Sequence, residues 1–181
     1  MAVSTGKINR KRDNQWGSDM NEIVTYHPVG HIHTPFKDIE GMPIQPTGAR
    51  GVAGTVVINE TCREGLKDLE GFSHIFLIYQ LHLCRGYALQ VKPFLDNAMH
   101  GIFACRSPKR PNQIGLSLVK LISVEGAVLH IEDVDMVDGT PLLDIKPYVP
   151  LFDAATDVKT GWFADRAGGV FKARSDGRFR E

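Results

Sequence analysis

The 181-residue chain predicts an all-β fold, a barrel or a sandwich of short, mostly antiparallel strands with one short helix. Three observations carry this. Seven short extended runs alternate with Gly, Pro or Asp clusters, and a single segment has helix start and stop signals. No G-x-G-x-x-G opens a βα unit, and neither a Walker loop nor a G-x-S-x-G elbow occurs, which speaks against dehydrogenase, NTPase and α/β-hydrolase folds.

Residues 1–19 are polar, basic and without apolar periodicity, and are expected to be a vector-derived leader or a flexible arm. A barrel-like domain is expected over 20–153. Its extended runs are Val29–His33, Gly51–Ile58, His74–Leu83, Tyr87–Val91, Gly101–Cys105, Ser117–Ile122 and Ala127–Asp133. The helix is placed after Thr61, because Thr61-Cys62-Arg63-Glu64 fits a capping box and Gly71 suits a left-handed stop. The run His74-Ile75-Phe76-Leu77-Ile78-Tyr79-Gln80-Leu81 lacks period-2 alternation. That strand should be covered on both faces, by core, by the helix or by a second subunit, so a homodimer is expected. Residues 154–181 lack a core pattern and read as a surface tail around a Trp162-Phe163 anchor.

Composition narrows the function classes. The net charge is zero, but residues 1–19 carry four basic and two acidic groups, residues 154–181 six and four, and the middle eleven against fifteen. A generic polyanion binder is excluded; contact with nucleic acid would need a local patch such as Arg106, Lys109 and Arg110. No segment approaches a membrane span of about 20 apolar residues and no signal-peptide pattern is seen, so a cytoplasmic protein without membrane contact is expected. Cys62, Cys84 and Cys105 have no metal or disulfide spacing, and His27, His31 and His33 lack a completing ligand, so no metal is expected.

Two signatures stand out. Gly101–Gly115 runs from an apolar strand into a cationic loop stiffened by Pro108 and Pro111, which restrict Ser107 and Arg110 before them. Asp135–Tyr148 is anionic, with an Asp138-Gly139 turn beside Asp144, Lys146 and Tyr148. Two readings follow. Either Arg106 or Arg110 pairs with Asp135, Asp138 or Asp144 in one structural network, or the loops hold a ligand that combines a cation, hydroxyls and a flat ring.

With Thr34-Pro35-Phe36, Pro43-x-Gln45 and Phe72-Ser73-His74-Ile75, these signatures resemble the TsaA/TrmO family of tRNA methyltransferases over about residues 23–153. The resemblance implies a compact, non-Rossmann β-barrel that dimerises, binds S-adenosyl-L-methionine and methylates N6 of threonylcarbamoyladenosine beside the anticodon of tRNA. It puts the cofactor near Pro46, Thr47, Gly48, His82, Leu83, Arg106, Leu116, Asp135, Met136, Val137 and Asp138. Asp138 and Tyr148 are candidate acceptors of the proton that the target nitrogen loses, and Lys109, Arg110 and Lys146 are candidates for tRNA phosphates or the substrate carboxylate. The chain departs from the family pattern at Ile44, Cys105 and Gln113, changes expected to touch substrate contacts rather than cofactor binding. Methylation of another substrate, or cofactor binding without catalysis, are the alternatives.

Overall fold

The computed structural model describes residues 23–179; the expected leader over 1–19 lies outside the described residues. Six strands close a barrel: β1 (Gly30–His33), β2 (Ala53–Ile58), β7 (Val128–Glu132), β6 (Ile114–Glu125), β3 (His74–Gln80) and β8 (Thr140–Pro147), in that order. Every neighbouring pair is antiparallel, and β8 closes the ring by pairing with both β1 and β3. Closure leaves no unpaired sheet edge. β4 (Gln90–Val91) and β5 (His100–Gly101) form a separate two-stranded ladder.

The barrel interior is filled by alternate residues. Ile32, Val56, Ile75, Leu77, Val119, Leu129 and Leu142 are fully buried, each contributing about 1.5–3 kcal/mol of transfer free energy. β3, which shows no alternation in sequence, alternates in burial: Ile75, Leu77 and Tyr79 point inward, while His74, Phe76 and Ile78 are half covered. Part of that cover is Tyr148, whose ring meets Phe76 edge-on at 5.6 Å.

Three local expectations are corrected. The segment after Thr61 is a 3-10 helix over Glu60–Leu66 and has no side-chain cap. Its N-cap is Asn59, whose amide donates to the Pro28 carbonyl instead, and Asp68 rather than Gly71 takes the left-handed conformation, at φ 66°. The short helix of the all-β fold is α1 (Pro150–Asp153). Within the acidic signature, Thr140–Pro147 is a barrel strand and not a loop. The run Tyr87–Val91 contracts to β4, and of Gly101–Cys105 only Gly101 belongs to a strand, β5, which a 3-10 turn over Ile102–Ala104 follows.

Part of the C-terminal segment folds back on the domain. Val170 and Phe179 are buried, Phe179 with Val91 and Ile102. Trp162 stacks on His100 at 4.4 Å and donates its indole N–H to the Ala104 carbonyl. His100 and Arg166 both reach the Asp96 carboxylate, at 2.8 and 3.2 Å. Together these contacts tie the segment to the β4–β5 region.

Candidate functional site

The folded-back segment roofs a cavity of about 1200 Å³ at one rim of the barrel. Its floor is the end of β3 and the start of β6. Its walls are the 42–47 loop, the cationic loop and the segment Asp135–Val137.

Close approach shapes the floor. Gly115 on β6 lies opposite Tyr79 on β3, and a β-carbon at Gly115 would overlap the Tyr79 ring. The missing side chain lets the tyrosine lie flat across β6. Its hydroxyl then reaches Ser117 Oγ at 3.0 Å, and the serine donates to Asp135 Oδ1 at 2.6 Å. Burial pushes the Asp135 carboxyl up to about 6, against the Ser117 hydrogen bond and the nearby Arg106 charge. Burial, then the charge of Asp135, raises the Tyr79 phenol above its ordinary range. On the opposite wall the Arg106 guanidinium is steadied by Gln45 Oε1 at 3.4 Å. Burial lowers the pKa of His82.

The segment carrying Asp135 is pinned from below. Buried Thr34 donates to the Met136 carbonyl at 2.8 Å, Thr140 to the Val137 carbonyl at 2.6 Å, and the amide of Gly139 to Ile32. Gly139 adopts φ +77°, as the Asp-Gly turn requires. A wall built this way is preorganised.

Of the residues singled out in the sequence, Thr47, His82, Leu83, Arg106, Leu116, Asp135, Met136 and Val137 line the cavity. Pro46 and Gly48 sit beside Thr47 in a 3-10 turn without lining it. Asp138 faces the other way: its carboxylate takes the Lys37 amine at 2.6 Å, the Thr34 amide and His33, and these partners, Lys37 first, hold its pKa down to about 2. Tyr148 lies beyond the end of β8, against His74 and Phe76. Neither of these two lines the cavity.

Arg110 also lines the cavity; it donates to the carbonyls of Ile102 and Cys105 and lies 5.8 Å from the Phe103 ring centroid. Lys109 donates to the Arg85 carbonyl, and Lys146 pairs with Asp144 at 2.8 Å. With Asp138 on Lys37, Asp144 on Lys146 and Arg110 on backbone carbonyls, the two signatures do not merge into a single ion-pair network. Tyr79 and Ser117 escape sequence reasoning: they are 38 positions apart and meet only through the β3–β6 register.

Fold and cavity together define a closed antiparallel barrel with a ligand-sized, oppositely charged cleft at one rim. The chain belongs to the family of the tRNA-methyltransferase O N-terminal domain, whose model matches residues 31–154. A probable S-adenosyl-L-methionine-binding protein of Pyrococcus abyssi is 49% identical over 157 residues, covering 87% of this chain and 85% of that protein. The tRNA (adenine(37)-N6)-methyltransferase of Homo sapiens is 36% identical over 138 residues, 72% of this chain but 31% of that protein. The crystal structure of TrmO from Pseudomonas aeruginosa superposes with a TM-score of 0.66 at 35% identity, covering 78% of this chain and 63% of that one. The chain thus spans less than two thirds of the human and Pseudomonas relatives.

Proposed function

We propose that this chain is an S-adenosyl-L-methionine-dependent methyltransferase that modifies N6 of threonylcarbamoyladenosine, beside the anticodon in tRNA. The supporting observation is the convergence on one cavity of eight positions to which the family resemblance assigns cofactor contacts. The donor set fits the group. Arg106 presents fork donors for the amino-acid carboxylate, Leu83, Leu116 and Met136 offer apolar walls for an adenine, and Asp135 puts negative charge where a sulfonium or ribose hydroxyls would be held. Single-ligand pockets run from about 300 to 1,000 Å³. At about 1200 Å³ the cavity has room for a nucleoside beside the cofactor.

When bound, the cofactor supplies a sulfonium methyl, whose carbon joins N6 as the carbon–sulfur electron pair stays on sulfur. The protein's residues align the nitrogen and keep water out, with Trp162 and Phe163 roofing the site. In this reading Lys109, next in the chain to the lining residues Pro108 and Arg110, meets RNA phosphate, and Arg110 chiefly braces the loop through its two carbonyl bonds. Lys146 is a weaker phosphate candidate because Asp144 neutralises it. We read the protein as cytoplasmic on the tRNA-methyltransferase reading alone, and as a homodimer on the strength of exposed apolar side chains such as Phe103 and Phe152, at 77% and 73%. Light scattering measures that directly.

The deciding assay incubates the protein with labelled S-adenosyl-L-methionine and tRNA bearing threonylcarbamoyladenosine, followed by mass analysis of nucleosides. One added methyl on that nucleoside is the expected result. Methylation of a different acceptor would change the substrate. Calorimetric binding of the cofactor without any transfer would leave a binding module, and no binding at millimolar cofactor would sink all three readings.

A further inference from the structure

We propose that Asp135 takes the proton that leaves the methylated nitrogen, and that Tyr79 and Ser117 are positioning residues which hold its carboxylate in the cavity; this rests on the methyltransferase reading above. The geometry is a chain of three groups contributed by β3, β6 and the segment before β8. Ser117 commits its proton to Asp135 Oδ1 at 2.6 Å, so the Tyr79 hydroxyl is the donor in its 3.0 Å contact with Ser117. Both hydrogens therefore point toward the carboxylate, and each bond polarises the next. Ser117 is 1% exposed and reaches no solvent, so its hydroxyl serves this chain rather than water.

The charged and titratable groups acting on Asp135 are Arg106, from the cationic loop, and Tyr79, from β3; Asp138, three residues on, turns to Lys37. A carboxylate raised toward 6 is ionised at neutral pH yet basic enough to accept a proton during the reaction. In that step the N6–H bond breaks with its electron pair left on nitrogen, and an O–H bond forms on Asp135. The carboxylic acid then loses its proton to solvent through the cavity mouth. Asp138, held down to about 2, is a much poorer base, and neither it nor Tyr148 lines the cavity.

The test compares wild type with Asp135→Asn, Ser117→Ala and Tyr79→Phe in single-turnover methylation at saturating cofactor and RNA, from acid to neutral pH. In the same proteins the Asp135 carboxyl is titrated by carbon NMR without ligands. Asp135→Asn is expected to slow transfer about 100-fold or more with the cofactor still saturating, a loss separate from the weaker cofactor binding that calorimetry records when the carboxylate charge is removed. Ser117→Ala removes a bond to the ionised form, so the NMR midpoint and the acid limb of the rate should rise together; Tyr79→Phe should move both in the same direction by less. Tyr79→Phe keeps the ring over Gly115, and it carries the test alone if Ser117→Ala does not fold. An Asp135→Asn rate within about threefold of wild type, well short of the general-base contribution, overturns the proposal. So does an acid limb that stays put while the carboxyl midpoint moves. Wild type that transfers no methyl to any RNA instead overturns the methyltransferase reading itself, whatever the carboxyl titration shows.

Discussion

Substituting Gly115→Ala strikes the contact that shapes the cavity floor. The new β-carbon would occupy the place of the Tyr79 ring, itself 6% exposed, so the ring has to swing away and the core around it has to shift. Overpacking of this kind costs about 1–3 kcal/mol. Moving the ring also parts Tyr79 from Ser117, and a buried hydroxyl left unpaired adds about 1–3 kcal/mol. The lower chain entropy of alanine in the unfolded state returns about 0.4–1 kcal/mol. The net expectation is a loss of about 3 kcal/mol, which in a domain of this size lowers Tm by roughly 6–12 °C. Urea unfolding followed by circular dichroism measures it, in wild-type and Tyr79→Leu backgrounds. With the ring gone, the alanine should cost less than about 1 kcal/mol, a coupling expected of residues in contact. Equal costs in the two backgrounds would refute the close-approach argument.

Other outcomes follow from the same contacts. Leu77→Ala opens a cavity in the fully buried barrel core and should cost about 3–5 kcal/mol in urea unfolding, whereas Glu64→Ala, on the exposed surface, should stay within about 0.5 kcal/mol. Asp138 has its pKa held below the ordinary value by Lys37, so its contribution is present above about pH 4 and lost as pH falls toward 2. Because the Lys37 amine is largely exposed, about 1 kcal/mol is at stake, and Asp138→Asn should flatten the acid limb of unfolding free energy by that amount. Arg106→Ala should weaken S-adenosyl-L-methionine binding about 10- to 100-fold by calorimetry, the worth of a charge-assisted hydrogen bond. For tRNA, Lys109→Ala should reduce the slope of log affinity against log salt by about 1, and an unchanged slope would remove that residue from the RNA interface.

Much of the barrel could be read from local pattern. The runs at Val29, Gly51, His74, Ser117 and Ala127 match β1, β2, β3, β6 and β7, since apolar and β-branched residues bounded by Gly or Asp behave alike in any sheet. β8 could not be read, because Pro141, Asp144 and Pro147 resemble a turn-rich loop. It forms because both flanks are paired, with a register shift opposite Ile78 and Tyr79 that takes up the irregular sequence. The Thr61 helix failed for a related reason: within the fifteen-residue connection from β2 to β3 the expected capping box makes no side-chain cap and Asp68 turns left-handed just past Leu66, so a 3-10 helix forms in place of α-helical turns. At the site, motif order located most of the cavity lining, but side-chain direction was invisible. Asp135 and Asp138 look alike in sequence and face different surroundings, one toward Ser117 and the other toward Lys37.

The closure by β8 couples the site to the integrity of the barrel. Residues 135–137 lead directly into the strand that joins β1 to β3, and Thr34 on the β1 side and Thr140 on β8 hold them in place. A ligand resting on that segment therefore clamps the seam of the barrel, and heat must release the clamp before the ring can open. At a hundredfold excess over its Kd, such a ligand would add about 2.7 kcal/mol to the folded state. Melting temperature can thus report on what enters this cavity before any reaction has been found, and a screen of nucleosides, cofactors and RNA fragments could use it.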